Sequence, residues 1–264
     1  FKQAEACFRC SIELEVSQGA SYYELSRLLR DKESLESLIH DVNSVRPGKL
    51  DPDQQIKLIQ SKTQCLDKLD RHAECAEHLK HLGKTRLKFC ASNKSLVLNQ
   101  IINSYSSKLI KPLTNNYAPQ KIFIVGLPRC GSTLVESILI LNPNSYPVGE
   151  VKALNLSIES CSGLDSARPR LIEESYLRNL GNIPECKALI DKTLSNFLHV
   201  ETIMSSISNS TILYLRRNPL DHLLSLYMAD LKSSFSYSYS LIKCSQKKMF
   251  TTCTIKYSKC FYIS

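Results

Sequence analysis

The 264-residue sequence predicts an α/β fold, a P-loop-like parallel sheet flanked by helices, preceded by an all-α region of helical hairpins. Three patterns indicate this. Residues 1–110 show apolar positions at helical spacing and few β-branched runs. A continuous apolar run at 121–126 is typical of a strand buried on both faces of a parallel sheet. A glycine-containing loop and an apolar helical segment follow it, so the order is strand, turn, helix.

The first half contains several sequences that begin helices. Ser21 and Glu24 have the spacing of a capping box. Asp51 and Pro52 supply a cap and a first-turn proline ahead of a second helix with an apolar face. A break near Asp70 separates this helix from another helix with an apolar face. We therefore expect paired amphipathic helices. They resemble tetratricopeptide-type hairpins, and a generic helical bundle is the alternative.

Composition and charge narrow the classes of function. The formal net charge is +9, but six lysines and no acidic residue stand in 231–264, so the rest is nearly balanced and nucleic-acid binding is not favoured. No apolar run approaches the roughly 18 residues that span a bilayer. The eleven cysteines are irregularly spaced, and the lone pair Cys7 and Cys10 lacks a second pair at zinc spacing, so we expect no metal.

The domain organisation follows from a change in composition at 111–120. This segment holds two prolines and two asparagines between periodic segments, which is typical of a linker. The predicted divisions are a helical region 1–110, the linker 111–120, an α/β domain 121–241 and an irregular basic tail 242–264.

The loop after the first predicted strand has the features of an anion-binding site. Gly126 and Gly131 allow tight turns, and the N–H groups and dipole of the following helix favour negative charge. Arg129 adds a full positive charge. Ser132 and Thr133 add hydroxyl groups. The alternative is a plain strand-to-helix turn with a solvent-exposed arginine.

The spacing GxxxxGST nearly matches a nucleoside-triphosphate P-loop, but Ser132 stands where that loop has its lysine. A second predicted strand, 211–215, ends in Arg216 and Arg217, where a triphosphatase commonly places an aspartate for magnesium. Asn218 then caps another predicted helix. The sequence therefore favours one nucleotide with two separated phosphate-like groups, bound without a metal. The alternative for the second junction is a pair of surface arginines.

Four ordered motifs stand in the second half: VGLPRCGSTLVESIL, YPVGE, DKTLSNFLH and ILYLRRNPLDHLLSLY. Together, over about 118–241, they resemble the sulfotransferase family, and within it the protein-tyrosine-sulfotransferase-like branch with helical repeats in front. The resemblance implies 3'-phosphoadenosine 5'-phosphosulfate as donor and a hydroxyl acceptor on a tyrosine peptide, a glycan or a small molecule. It leaves the compartment open, with the Golgi lumen expected if the acceptor is tyrosine and an anchor is missing upstream, and the cytoplasm otherwise.

The resemblance also assigns roles to single residues. Arg217 and Ser225, eight positions apart as in the family, would hold the 3'-phosphate. Glu150 matches a general base, and Lys192, after a predicted strand at 187–190, matches a lysine that neutralises charge on the transferring group. We expect Glu150 to be buried near the sheet edge, which would raise its pKa toward neutrality. The 5'-phosphosulfate would be held by Pro128, Arg129, Cys130, Gly131, Ser132 and Thr133, with Arg129 also among the catalytic residues. His199 and His222 are given structural roles.

Beyond residue 241 the family pattern stops. We find no glycine-rich lid segment there and no tryptophan in the chain, and we interpret 242–264 as a truncated or frame-shifted ending that spares donor binding and impairs turnover. Two other functions stay open. One is a P-loop nucleotide kinase or nucleoside triphosphatase. The other is a helical-repeat interaction protein with a degenerate transferase domain, which binds a protein partner through its helical region.

Overall fold

The computed structural model describes residues 2–46, 50–89, 119–161, 168–229, 231, 238–240, 245 and 261–263. Backbone contacts divide the chain into two compact units, Phe1–Lys94 with Leu226–Cys244, and Ser95–Ser225 with Ser245–Ser264. In the described residues the first unit is helical and the second contains the strands. The predicted linker 111–120 lies almost entirely outside the described residues, so a boundary there stays a prediction.

The first unit is built from amphipathic helices: α1 (Lys2–Leu14), α2 (Gly19–Leu28), α3 (Lys32–Ser44), α4 (Pro52–Lys68) and α5 (His72–Phe89). The predicted start of α4 is confirmed, because the Asp51 carboxylate accepts from Asp53 N–H at 3.3 Å and Pro52 is the first helical residue. The predicted break is also confirmed. Asp70 adopts a positive φ of 55° between α4 and α5.

Apolar side chains at helical spacing form the core of this unit. Tyr22, Leu25 and Leu66 are among its fully buried members. Each such side chain contributes about 1.5–3 kcal/mol when it leaves water. Tyr227, from a distant part of the sequence, belongs to the same core, and its hydroxyl donates to the carbonyl oxygen of Leu79 at 2.8 Å. This packing explains why residues after 225 are grouped with the helical unit.

The predicted capping box at Ser21 is wrong. Helix α2 begins at Gly19, with Gln18 at the N-cap position and no side-chain capping bond. Ser21 lies inside the helix, where its hydroxyl oxygen is 2.8 Å from that of Ser11 in α1. At Gly19, α2 lies so close to α4 that a Cβ atom there would clash with the backbone of Gln54. Packing against α4 therefore favours a helix that begins at this glycine.

The second unit alternates strands and helices: β1 (Gln120–Val125), α6 (Ser132–Leu139), β2 (Ser145–Gly149), α7 (Ala153–Ser160), α8 (Arg168–Leu180), β3 (Ala188–Asp191), a 3₁₀ helix (Leu194–His199), α9 (Val200–Ser206), β4 (Ser210–Leu215), α10 (Pro219–Met228), whose last three residues belong to the first unit, and β5 (Phe261–Ile263). The predicted strands at 121–126, 187–190 and 211–215 are confirmed, each within one residue at either end. Nowhere in the described part of the chain does a helix combine the length and hydropathy of a membrane span.

The strands form one parallel sheet in the order β2-β3-β1-β4-β5, and the predicted α/β fold is confirmed. Strand β1 lies centrally, with Ile122 opposite Ile190 of β3 and Thr211 of β4. Phe123 packs into the core on one face of the sheet and Ile124 into a second cluster. Parallel pairing places the carboxyl ends of all strands at one edge, where ligands bind in open α/β sheets.

The sequence predicts an irregular tail over 242–264, whereas the structure has a short strand near its end. Residues Phe261–Ile263 form β5, which pairs in parallel with Leu213–Leu215 of β4. The pairing gives hydrogen-bond partners to the outer edge of β4, which would otherwise be exposed. Three residues are too few for a recognisable period, so this strand had no signal in the sequence.

Candidate functional site

The loop between β1 and α6 turns through three positive φ angles, 156° at Gly126, 67° at Arg129 and 99° at Gly131. A Cβ atom at Gly126 would lie 3.1 Å from the carbonyl oxygen of Leu215 and 3.3 Å from Sγ of Cys130, so the site favours glycine. Arg129 adopts the left-handed conformation, which costs an L residue about 1–2 kcal/mol. Such strain concentrates at functional sites.

The first turn of α6 presents backbone N–H groups at this loop. Its N-cap is Gly131, which makes no side-chain capping bond, and the first helical bond runs from Val135 N–H to the carbonyl oxygen of Gly131 at 3.1 Å. Ser132 is buried and Thr133 is exposed. The N–H groups of a first helical turn and the helix dipole together favour an anion at this end of α6.

Cys130 packs beneath the loop. Its side chain is buried in a cluster with Ile124, Ile190 and Leu215. Burial raises the pKa of Cys130, although hydrogen bonding from Ser132 opposes the rise. The thiol is therefore neutral near pH 7, and any contribution of Cys130 to an anion site comes from its backbone.

The junction between β4 and α10 is also a strand-to-helix turn, but its helix is capped by a side chain. The side-chain oxygen of Asn218 accepts from Leu220 N–H at 3.0 Å, and Pro219 is the first helical residue, so the predicted helix start is confirmed. Arg216 and Arg217 are both exposed. A second helix N-terminus thus lies beside cationic side chains.

Hydrogen bonds join the two junctions directly. Arg217 Nη1 donates to the carbonyl oxygen of Arg129 at 3.4 Å, and Arg129 Nε donates to Ser225 Oγ at 3.2 Å. His222 Nε2 lies 2.8 Å from the carbonyl oxygen of Pro128. Since β1 and β4 are neighbours in the sheet, their carboxyl-terminal loops are adjacent. The structure therefore brings Arg129, Arg217 and Ser225 together.

Lys192 follows β3 and lies between two carboxylates. Its Nζ is 3.3 Å from Oε2 of Glu136 in α6 and 3.4 Å from Oε1 of Glu150, which follows β2. The side chains of Lys192 and Glu136 are 13% and 15% exposed, whereas that of Glu150 is 67% exposed. The cluster combines one well-shielded ion pair with one solvated carboxylate.

The burial predicted for Glu150 is wrong. Two thirds of its side chain is in contact with solvent. The reason is topological, because β2 is the outermost strand of the sheet and Glu150 follows its last residue, Gly149, which has a φ of 74°. Its contact with Lys192 nevertheless places the two predicted catalytic side chains together.

A side-chain clamp joins the segments that carry Glu150 and Lys192. Thr193 Oγ1 donates to the carbonyl oxygen of Val151 at 2.8 Å and accepts from Val151 N–H at 2.9 Å. Lys192 N–H donates to the carbonyl oxygen of Gly149 at 3.0 Å. Glu150 therefore lies between Gly149 and Val151, and both of these residues are hydrogen-bonded to the segment after β3.

Asp191 supports this turn from inside the fold. Its buried carboxylate accepts from Thr193 N–H at 2.8 Å and from the Tyr176 hydroxyl at 3.0 Å. Burial raises the pKa of Asp191, while the hydrogen bonds from Thr193 and Tyr176 oppose the rise. These contacts fix the backbone from which the Lys192 side chain extends.

Sequence reasoning located both residue groups but did not single out Glu136 or Thr193. A signal for Glu136 exists, because it stands four residues after Ser132 and so on the same face of α6. Thr193 had no comparable signal. Its two bonds depend on the register between β2 and β3, which shifts near Pro147 and Gly149.

A parallel sheet with a glycine-containing loop between one strand and the following helix, and with arginines after the neighbouring strand, defines a P-loop-like α/β class of protein. Within that class, the sulfotransferase domain matches residues 119–255, just over half of the chain. The chain belongs to the sulfotransferase family, which confirms the family predicted from the four motifs. The match runs past residue 241, where the motif resemblance ends.

One relative is an uncharacterized protein of Aquifex aeolicus (strain VF5). It is 25% identical over an alignment of 179 residues that covers 60% of this chain and 24% of the relative. The chain thus spans about a quarter of the length of that protein. No solved structure matches the chain.

Proposed function

We propose that this chain transfers a sulfuryl group from 3'-phosphoadenosine 5'-phosphosulfate to an acceptor hydroxyl. The observation that carries the proposal is the hydrogen bond of 3.4 Å from Arg217 to the carbonyl oxygen of Arg129. This contact supports the proposal because it brings the two arginine-bearing junctions next to each other. A nucleotide with anionic groups at both its 5' and 3' positions requires such a pair of adjacent sites.

The β1–α6 loop suits the phosphosulfate end of the donor. Gly131 leaves the first N–H groups of α6 without a side-chain cap, and Ser132 and Thr133 add hydroxyl groups at the same helix end. The bond from Arg129 Nε to Ser225 engages one of the five N–H donors of that guanidinium. The other donors of Arg129 are suited to the oxygens of a sulfuryl group.

Arg217 and Ser225 suit the 3'-phosphate. Arg217 lies at the β4–α10 junction and Ser225 lies within α10, and both are in hydrogen-bond contact with Arg129. A hydroxyl group can accept one hydrogen bond and donate another at the same time. Ser225 can therefore accept from Arg129 and donate its own proton to a phosphate oxygen.

The same residues argue against a kinase or nucleoside triphosphatase. Ser132 replaces the P-loop lysine that contacts the β- and γ-phosphates. Strand β4 is followed by Arg216 and Arg217 instead of a carboxylate for magnesium. Both replacements change the chemistry of the site toward binding anions directly.

In the proposed reaction Glu150 accepts the proton of the acceptor hydroxyl while the hydroxyl oxygen forms a bond to sulfur. The bond between sulfur and the bridging phosphate oxygen breaks, and its electron pair stays on the phosphate of 3'-phosphoadenosine 5'-phosphate. Lys192 and Arg129 offset the negative charge that develops on the sulfuryl and leaving oxygens. Removal of one such donor typically lowers kcat by about 10²–10³-fold.

For the acceptor we propose protein tyrosine, on the resemblance of the four motifs, with a glycan or a small alcohol as the competing classes. The helices α1–α5 are assigned the role of binding the acceptor or another protein partner. Paired helices of this kind stack into surfaces that bind peptides, which supports that assignment.

Calorimetric titration with 3'-phosphoadenosine 5'-phosphate tests the donor site. Arg129→Ala and Arg217→Ala each remove a charge-assisted hydrogen bond of about 1.5–3 kcal/mol, so we expect the Kd to rise at least tenfold. Arg216→Ala is the matched control, since it removes a neighbouring exposed arginine, and we expect its Kd within about twofold of the parent. Absence of heat at millimolar nucleotide, or an equal loss in all three variants, would contradict the proposal.

Transfer is tested separately with labelled donor and, as acceptors, a tyrosine peptide, a glycan and a small phenol. We expect the parent chain to transfer the label to one of these acceptors and the Glu150→Ala variant to transfer none. Nucleotide binding without transfer to any acceptor would favour an interaction protein with a degenerate transferase domain. Magnesium-dependent turnover of ATP that Arg129→Ala abolishes would favour the kinase.

A further inference from the structure

The ammonium group of Lys192 has two carboxylate partners, and they differ sharply in environment. Glu136 approaches to 3.3 Å and is 15% exposed, whereas Glu150 approaches to 3.4 Å and is 67% exposed. Charges attract more strongly where water is excluded, and exposed pairs contribute little. The contact with Glu136 is therefore the stronger of the two, and Lys192 retains it when Glu150 changes its charge.

Glu136 also connects Lys192 to the donor loop. It lies one turn along α6 from Ser132, whose side chain is buried at the start of that helix. Residues four positions apart in a helix share one face. The same face of α6 thus carries a residue of the anion-binding turn and the partner of Lys192.

We infer that Glu136 is a positioning residue that holds Lys192 toward the transferring sulfuryl group and leaves Glu150 free to act as the base. This role rests on the proposed function. Glu136 acts through Lys192 and takes no proton in the reaction.

Charge balance is the reason that two carboxylates are needed. If Glu150 were the sole partner of Lys192, protonation of Glu150 during transfer would leave a largely buried ammonium unpaired. Such a state is costly, because buried charges need a partner. With Glu136 in place, Lys192 stays paired throughout. Glu150 then accepts the acceptor proton without breaking the ion pair that orients Lys192.

The pairing is tested first by a measurement that does not require transfer. An acetylating reagent must reach the nitrogen of Lys192, and the ion pair with the shielded Glu136 carboxylate restricts that access. In Glu136→Gln, of nearly equal size, we expect the labelling rate of Lys192, followed by mass spectrometry, to rise roughly three- to tenfold. Glu150→Gln should raise it less, and Glu174→Gln, an exposed carboxylate in α8, should leave it unchanged. An unchanged rate in Glu136→Gln overturns the pairing.

The catalytic part is tested by steady-state kinetics on the same variants. We expect Glu136→Gln to lower kcat about 10- to 100-fold, to leave the Kd for 3'-phosphoadenosine 5'-phosphate within twofold, and to retain the acidic limb of the pH–rate profile. Glu150→Gln should abolish that limb. The reverse pattern, with the limb lost in Glu136→Gln and kept in Glu150→Gln, would make Glu136 the base and overturn the inference.

The two proposals fail in distinguishable ways. If the parent chain transfers no sulfuryl group, the proposed function fails, while the labelling rates still report whether Glu136 holds Lys192. If transfer occurs and Glu136→Gln matches the parent in kcat, only the positioning role fails. Melting temperatures of the variants identify any that do not fold.

Discussion

Short polar side chains hold together backbone segments that belong to different strands of the candidate site. Thr193 bonds both backbone groups of Val151, and Asp191 in turn accepts from Thr193 N–H. A partly buried backbone group that loses its partner costs about 1–3 kcal/mol. The Thr193 hydroxyl group therefore helps to place Glu150 relative to Lys192, together with the bond from Lys192 N–H to the carbonyl oxygen of Gly149.

Thr193→Val keeps the shape of the side chain and removes this hydroxyl. We expect kcat to fall at least tenfold while the Kd for 3'-phosphoadenosine 5'-phosphate stays within about twofold, because Glu150 loses its fixed position and the donor loop is untouched. Thr193→Ser restores the hydroxyl and should restore most of kcat. Equal kcat values for the valine and serine variants would show that the clamp does not position the base.

At the scale of elements, the N-terminus of α6 depends on a backbone conformation that only glycine adopts easily. Gly131 has a φ of 99°, and no atom lies within 4 Å of the position that a Cβ would take. A side chain there would therefore act through backbone strain and not through a clash. Gly181, just after α8, has a similar φ of 78° and the same open surroundings, but it lies outside the predicted site.

Alanine substitutions at Gly131 and Gly181 give a matched pair of variants. Alanine at either position costs about 1–2 kcal/mol in backbone conformation. We expect Gly131→Ala to weaken binding of 3'-phosphoadenosine 5'-phosphate about tenfold and Gly181→Ala to leave it unchanged, with similar losses of thermal stability. Calorimetric titration and thermal unfolding measure the two effects. Equal affinities would remove the N-terminus of α6 from the donor site.

At the scale of the molecule, each unit has a core of its own, and that of the α/β unit includes a buried charge. Lys121, on β1, is 1% exposed, and its Nζ lies 2.9 Å from Oε1 of Glu173 in α8. Lys121 also donates to the carbonyl oxygen and the hydroxyl of Ser208. Burial alone raises the pKa of Glu173, but hydrogen bonds from Lys121 and Ser208 outweigh it and hold the pKa below its ordinary value.

This ion pair predicts acid sensitivity. Because the pKa of Glu173 is lower in the folded chain than in the unfolded chain, the unfolded chain binds more protons below about pH 4.5. The free energy of unfolding should fall as the pH decreases through the folded-state pKa. Glu173→Gln should reduce that slope and, by leaving Lys121 unpaired, cost about 3–5 kcal/mol at pH 7.

Urea unfolding across a pH series measures both effects. The double variant Lys121→Met with Glu173→Leu removes both charges, and we expect it to recover most of the stability that Glu173→Gln loses. A Glu173→Gln variant as stable as the parent at pH 7 would show that the pair contributes nothing.

Local patterns predicted the elements of the site well. The apolar run of β1, the glycines of the following loop and the cap at Asn218 act within a few residues, so each is visible in sequence. The start of α2 was missed, because contact of Gly19 with α4 outweighed the local capping signal at Ser21. Strand β5 was missed because its pairing with β4 is entirely non-local.

By itself, the amino-acid sequence determined the parallel α/β architecture and the two arginine-bearing junctions, since these depend on short-range periodicity, caps and loop composition. The sulfotransferase family was predicted from the resemblance of four ordered motifs, and the family match confirms it. The tertiary structure alone decided the contact of Arg217 with Arg129, the exposure of Glu150 and the pairing of Lys192 with Glu136. These contacts join residues that are distant in the chain. Strand order and register set them, and no local pattern encodes either.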